Sequence, residues 1–260
     1  MTPSLTRRSL KPYLSSLLRA AVFMAVWVLT PCAQAELSFN DGRTRLILDG
    51  SKQRWPVNII NQGDEPALMQ LSLNWGDKKD TRSLPLAISN PLLLIHPGQR
   101  KTIEIFYQGQ GLPDDQETYL LLDLLKLPEA SDGQTDQLQI APLHHFKVFY
   151  RPPLKSDPAK VAAQVTWRLL AEQGSPKALL ANPSPYHVTF TDIEPLDARH
   201  QPCAPPTIHL MLAPFSEQPL ALDCKQPPAS VDYQVISDSG SPKEQRARLS
   251  TSSSYGEAKQ

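Results

Sequence analysis

The side chains best suited to chemistry in this 260-residue chain are its cysteines and histidines. Cys203 and Cys224 form an even pair once the signal segment described below is removed, and such a pair in an exported protein predicts a disulfide bridge. His200 and His209 lie nearby in sequence, so a zinc site is the alternative. No C-x-x-C or H-x-x-x-H spacing is present, so the bridge is preferred and no metal or other cofactor is expected.

The motifs argue against an enzyme. The sequence contains no G-x-S-x-G, H-E-x-x-H or P-loop spacing, and no histidine in a context typical of a general base. His144 and His145 are adjacent, so a strand would point them to opposite faces and they could not share a metal ion. No catalytic residue is predicted.

The first 35 residues have the features of a signal peptide. Basic residues precede an apolar run from Ala20 to Leu29, and Ala33-Gln34-Ala35 forms an A-x-A cleavage site. The run is much shorter than the roughly 20 residues of a transmembrane helix. A lipoprotein signal ending at Cys32 is disfavoured because Pro31 precedes the cysteine. We expect cleavage before Glu36, export, and no membrane insertion afterwards.

Removing this segment changes the charge balance. The whole chain has 26 basic and 26 acidic residues. Four basic residues lie in the signal, so 22 remain and the exported protein is mildly acidic. Because nucleic acids are bound by basic surfaces, no nucleic-acid partner is predicted.

The elements that position the remaining residues are short β-strands. Proline and glycine turns recur at intervals of roughly 8 to 12 residues, as is typical of β-sandwiches. The length predicts two domains, and Pro152-Pro153 is a suitable hinge between them. We therefore predict an all-β protein with sandwich domains at 36–151 and 152–250, followed by a disordered polar tail at 251–260.

Three stretches carry specific structural predictions. Residues 37–50 are expected to form one edge strand, and residues 67–75 a strand with its odd-numbered side chains in the core. Residues 136–151 alternate with period two and stop at Pro152-Pro153, which predicts a long final strand of the first domain. Residues 158–170 fit either a helix or a strand.

Several motifs resemble the periplasmic pilus chaperones of the PapD-like family. Leu138-Gln-Ile-Ala and Lys147-Val-Phe-Tyr-Arg-Pro152 resemble the last strand of that family's first domain, and Arg43-Thr44-Arg45 resembles its first strand. Asn182-Pro-Ser-Pro-Tyr-His-Val-Thr189 resembles a strand of its second domain, where the match is thinner. The resemblance implies two immunoglobulin-like domains in an L or boomerang shape, and a location in the periplasm.

The resemblance also implies two charged sites. Arg45 and Lys147 match the pair that grips the C-terminal carboxylate of a pilin subunit at the cleft between the domains; ordinary solvated strand residues are the alternative. Glu117, Arg151 and Asp238 match a charged trio that joins the domains, with Asp238 resting on the weakest motif. Three separate surface charges, which would contribute little, are the alternative there.

A donor strand is the third implied site. The resemblance gives Leu138 and Ile140 to a strand lent to the subunit, although periodicity alone would also allow both to face their own core. Pro142 stands where the family has an aliphatic residue. We predict that Pro142 forms a bulge that turns Leu143 onto the face of Leu138 and Ile140.

The implied function is that of a chaperone. It would stabilise pilin (fimbrial) subunits by donor-strand complementation and deliver them to an outer-membrane usher. The free protein must cover an exposed apolar strand, and a self-capping dimer is one way to do so. The alternative is an exported immunoglobulin-like protein with a structural or adhesive role at the cell surface.

Overall fold

The computed structural model describes residues 37–77, 79–128, 140–170 and 176–251, with no side chains described for the last two. The predicted signal peptide, Leu138 and tail residues 252–260 lie outside these ranges. Within the described ranges, no helix has both the length and the apolar character needed to cross a membrane.

The first sandwich packs two sheets against each other. One sheet has, in order of pairing, β1 (Leu37–Phe39), β3 (Arg54–Asn61), β7 (Arg100–Tyr107) and β5 (Leu86–Ile88). The other has β2 (Arg45–Asp49), β9 (Leu143–Arg151), β8 (Thr118–Leu127), β4 (Ala67–Trp75) and β6 (Leu92–Ile95). Strands β2 and β9 pair in parallel, whereas the other pairs of this sandwich are antiparallel.

Alternating side chains build the core between these sheets. In β4, Ala67, Met69 and Leu71 are buried while the even-numbered residues are exposed, because successive side chains of a strand point to opposite faces. Leu120, Leu122 and Leu124 of β8 are buried against them. The predicted core face of residues 67–75 is confirmed.

The single edge strand predicted for residues 37–50 is wrong. The chain forms β1 in one sheet, turns through Asn40–Gly42, and continues as β2 in the other sheet. Asn40, Asp41 and Gly42 have φ angles of 42°, 59° and 82°, so three consecutive left-handed residues break the strand. Asparagine, aspartate and glycine tolerate this conformation best. Residues 37–49 thus provide an edge strand to each of the two sheets.

The second sandwich begins after a 3-10 helix at Pro158–Gln164. One of its sheets has, in order of pairing, β14 (Ser216–Ala221), β11 (Lys177–Asn182), β10 (Thr166–Leu170) and β17 (Ser250–Thr251). The other has β13 (Thr207–Leu212), β12 (Val188–Leu196), β15 (Ser230–Ile236) and β16 (Pro242–Arg248). Residues 158–170 therefore contain both a helical turn and a strand. Thr251, the first residue of the predicted tail, pairs with Leu169 of β10 through β17. The all-β class with two immunoglobulin-like sandwiches is confirmed.

A disulfide joins Cys203, after β12, to Cys224, after β14, at a sequence separation of 21. This confirms the bridge over the zinc alternative, and the described residues hold no cluster of three or more metal-ligating side chains.

Removing both cysteines by Cys203→Ala and Cys224→Ala is expected to lower the free energy of unfolding by about 3 kcal/mol, because a loop of this length constrains the unfolded chain. Guanidinium denaturation measures the change. Dithiothreitol should destabilise the natural protein by the same amount and leave the double variant unaffected. Equal stability of the two proteins without reductant would contradict the prediction.

Candidate functional site

Arg45 and Lys147 are direct neighbours across the parallel pair β2–β9. Arg45 is the first residue of β2, and its Cα partner in the register is Lys147. Side chains at paired positions of adjacent strands lie on the same face. The two residues predicted to act together, far apart in sequence, are therefore brought together on one sheet.

The Lys147 side chain reaches the second sandwich. Its Nζ lies 2.6 Å from Nε2 of His209, on β13. The ammonium group has only donors, so Nε2 accepts this bond. The contact joins the two domains directly beside the two cations that are predicted to bind a carboxylate.

Arg45 is only 7% exposed, in spite of its charge. Its Nη1 donates to the carbonyl of Ile236 at 3.3 Å, and its guanidinium lies over the ring of Phe149 at 5.6 Å. Its Nε is buried and has no hydrogen-bond partner among the described residues. A buried unpaired donor costs about 1 to 3 kcal/mol, so the burial of this guanidinium is not fully compensated by hydrogen bonds within the described residues.

The electrostatics of this group favour an anion. Burial, together with the positive charge of Arg45, lowers the pKa of Lys147 to about 8. Burial also lowers the pKa of Arg45, against the opposing effect of Asp238 and Glu117. Two cations held close together and partly removed from water are stabilised by a carboxylate.

A second charged group, the junction network, consists of Glu117, Arg151, Asp238 and His187. Arg151 Nη2 lies 2.9 Å from Glu117 Oε1, and its Nη1 lies 2.7 Å from Asp238 Oδ2. Burial disfavours the Arg151 cation, but the two carboxylates more than offset this and raise its pKa above the usual range. The structure thus brings the predicted trio together across the junction of the sandwiches.

His187 belongs to this network although its role was not predicted. Its backbone N–H donates to Glu117 Oε2 at 2.8 Å, and its Nδ1 lies 3.2 Å from the same oxygen. Glu117 is 3% exposed, so its carboxylate is satisfied almost entirely by groups of the protein. The one sequence signal for His187 is its position in the Asn182–Thr189 motif.

The turn that carries Asp238 approaches the first sandwich closely. Gly240 has a φ of 89°, and a Cβ added there would lie 2.2 Å from Thr44 Oγ1. Only glycine allows this turn to pack beside the start of β2. Gly240 therefore positions Asp238.

The start of β9 has one open edge. Its residues 143–150 pair with β8 on one side, whereas β2 covers the other side only from Lys147 to Arg151. The alternation of an antiparallel ladder points the backbone groups of Leu143 and His145 away from β8. No strand among the described residues pairs with residues 143–146 on that side. We call this free side the open edge.

Ile140 precedes the open edge and is 74% exposed. It therefore does not face the core of its own domain, which was the alternative. Leu138 lies outside the described residues. β9 begins at Leu143 rather than near residue 136, so the predicted strand is too long for the described part.

The bulge predicted at Pro142 is wrong. The register with β8 runs unbroken from Tyr150 to Leu143, and the Lys126 N–H donates to the Pro142 carbonyl at 3.0 Å in the same register. The carbonyl of a proline can still accept, so the ladder continues although one donor is missing. Leu143 remains on the face of His145 and Lys147 and is 47% exposed.

Protein-family models match both sandwiches. The model for "Pili and flagellar-assembly chaperone, PapD N-terminal domain" matches residues 38–155. The model for "Pili assembly chaperone PapD, C-terminal domain" matches residues 160–247. Together they cover most of the chain.

Individual proteins show the same similarity. The chain is 31% identical over 224 residues to chaperone protein FimB/FhaD of Bordetella pertussis, covering 82% of this chain and 87% of that protein. It is 29% identical over 220 residues to the probable fimbrial chaperone YadV of Escherichia coli, covering 79% and 87%.

Solved structures share the fold. The crystal structure of the YadV chaperone superposes with a TM-score of 0.66 at 27% identity, covering 83% of this chain and all of that one. The SafB chaperone of Salmonella enterica, solved in complex with the SafA pilin, superposes with a TM-score of 0.64 at 21% identity, covering 84% and 99%. The latter likeness concerns the fold alone.

Proposed function

This chain belongs to the PapD-like family of pilus-assembly chaperones, and we propose that it holds pilin subunits by a carboxylate site at Arg45 and Lys147 and by the open edge of β9. Its function is that of a chaperone in the assembly of pili by the chaperone–usher pathway. Membership of this family favours the chaperone over a structural or adhesive surface protein.

The observation that carries the proposal is the register of Arg45 with Lys147 at the end of the open edge. A C-terminal carboxylate can accept from the guanidinium of Arg45 and from the ammonium of Lys147. Charge-assisted hydrogen bonds contribute about 1.5 to 3 kcal/mol each. The carboxylate site would therefore fix where the subunit's last strand ends.

The open edge supplies the second contact. A subunit strand that ends at Lys147 would run along residues 143–146 in the direction of β9, in line with β2. Backbone groups of Leu143 and His145 point to that side, and adding a strand to a free sheet edge satisfies such groups. Ile140, at 74% exposed, would be covered by the subunit.

The remaining parts of the proposal concern location and other partners. We assign the protein to the periplasm, with delivery of subunits to an outer-membrane usher and with no catalytic activity. When no subunit is bound, a second copy would cover the open edge and Ile140, because unpaired edges and exposed apolar side chains promote aggregation.

Co-expression with candidate pilins tests the proposal. The pilin should be recovered as a soluble one-to-one complex only when the chaperone is present. Ile140→Asp should reduce recovery at least tenfold, since burying an isoleucine contributes about 1.5 to 3 kcal/mol. Leu92→Asp is the matched control, because Leu92 is 57% exposed on β6, at the opposite edge of the sheet. Unchanged recovery with Ile140→Asp, or no complex with the natural chain, would overturn the proposal.

A further inference from the structure

His209 stands beside the carboxylate site but comes from the other domain. It lies on β13, an edge strand of the second sandwich, and is separated from Lys147 by 62 positions in sequence. At 2.6 Å, Nε2 and Nζ are within hydrogen-bonding distance of each other. The neighbouring strand β12 does not explain this contact, because the residue paired with His209 there is the uncharged Thr191.

The contact defines the protonation state of His209 in the free protein. Lys147 donates, so Nε2 of His209 carries no proton and the neutral imidazole holds its proton on Nδ1. The charged groups that face His209 are Lys147 from β9 and Arg45 from β2. Both are cations, so a proton on His209 would add a third positive charge to a site that holds no anion.

We propose that His209 is a third residue of the carboxylate site, neutral while the site is empty and protonated when a subunit carboxylate binds. This inference rests on the carboxylate site proposed above. In the empty site the imidazole accepts from Lys147 and orients the ammonium. When the carboxylate arrives, Nε2 takes up a proton from hydronium or a buffer acid in the solvent and donates to the carboxylate, while Lys147 turns its own donors to the same group.

The sign of the pH dependence follows from the charges. In the empty site, burial, Lys147 and Arg45 lower the pKa of His209 below its usual value. A bound carboxylate raises that pKa, because an opposite charge stabilises the imidazolium. Binding therefore takes up a proton, and affinity increases as pH falls through the window between the two pKa values. A C-terminal carboxyl, with a pKa of about 3.5, stays ionised there.

The alkaline side has a different cause. The pKa of Lys147 is about 8 in the empty site, so the ammonium loses its proton above that pH. Binding of a carboxylate should weaken there whether or not residue 209 is a histidine. The decrease in affinity at alkaline pH is thus an internal reference for the increase in affinity at acidic pH.

The experiment compares the natural chain with His209→Gln, which keeps an acceptor for Lys147 but cannot titrate. The ligand is a peptide with the sequence of the pilin's C-terminal strand, prepared as the free acid and as the amide. Affinity is measured by fluorescence anisotropy at several pH values. His96→Gln is the matched control, because His96 lies exposed in the turn between β6 and β7.

For the natural chain and the His96 control, the free acid should bind at least about threefold more tightly at about pH 5.5 than at about pH 7.5, because the bound carboxylate raises the pKa of His209. The His209→Gln protein should lose this increase and keep the decrease above pH 8. An NMR titration of the His209 ring should show its pKa rising with the acid and not with the amide.

The outcomes separate this inference from the function on which it rests. A preserved acidic increase in His209→Gln, or an unchanged pKa of the ring with the free acid, would overturn the role of His209 while leaving the carboxylate site in place. Equal binding of acid and amide to the natural chain at every pH would overturn the carboxylate site and this inference together.

Discussion

Replacing Lys147 by methionine is expected to weaken binding of a free-acid pilin peptide by about ten- to 150-fold, the equivalent of about 1.5 to 3 kcal/mol for one charge-assisted hydrogen bond. Methionine keeps the apolar stem of the side chain and removes only the charge. The amidated peptide should bind the two proteins almost equally. Fluorescence anisotropy at about pH 7 measures both affinities.

In Lys147→Met, the free energy of unfolding should change differently from the affinity for the peptide. Lys147 is partly buried, and burial and Arg45 both disfavour its charge, so Lys147→Met should leave the free energy of unfolding unchanged or increase it slightly. Lys52→Met is the matched control, because Lys52 is exposed in the turn after β2. If Lys147 were an ordinary solvated residue, the two substitutions would have the same negligible effect on the free-acid peptide.

The largest loss of stability is expected for Glu117→Ala, about 3 to 5 kcal/mol. Glu117 is buried and accepts from the Arg151 guanidinium and from the His187 N–H. Its removal leaves Arg151, a partly buried cation, with Asp238 as its remaining carboxylate partner, and it leaves the His187 N–H without its acceptor. Because these groups lie on both sandwiches, we also expect the thermal transitions of the two domains to separate. Guanidinium denaturation and calorimetry measure these effects.

An exposed ion pair provides the control for that variant. Arg246 and Asp232 form a salt bridge on β16 and β15, with side chains 52% and 37% exposed. Asp232→Ala should therefore lower the free energy of unfolding by at most about 1 kcal/mol. Similar losses in the two variants would show that the junction network has no special role in joining the domains.

The strands with regular alternation were predictable because their signal is local. Residues 67–75 place apolar side chains on one face over their full length, and β4 has the predicted bounds. The break at Asn40–Gly42 was missed, although asparagine, aspartate and glycine in sequence are a signal for left-handed backbone. Propensity indicates such a break but not that the chain changes sheets there.

The site was predictable only in part, because its contacts are not local. Motif resemblance paired Arg45 with Lys147, and the parallel register of β2 and β9 explains why those positions meet. The contact of Lys147 with His209 depends on how two domains pack, for which no local pattern exists. At Pro142 the expected bulge does not form, because the proline carbonyl still accepts from the Lys126 N–H and maintains the register.

The position of β2 affects how the first domain folds. β2 can enter its sheet only after β9, the last strand of that domain, has been synthesised, because β9 lies between β2 and β8. Pairings so distant in sequence slow folding. A chain expected to cross the inner membrane would benefit, since slow closure keeps the polypeptide unfolded and competent for translocation until Arg151, the last residue of β9, has been made.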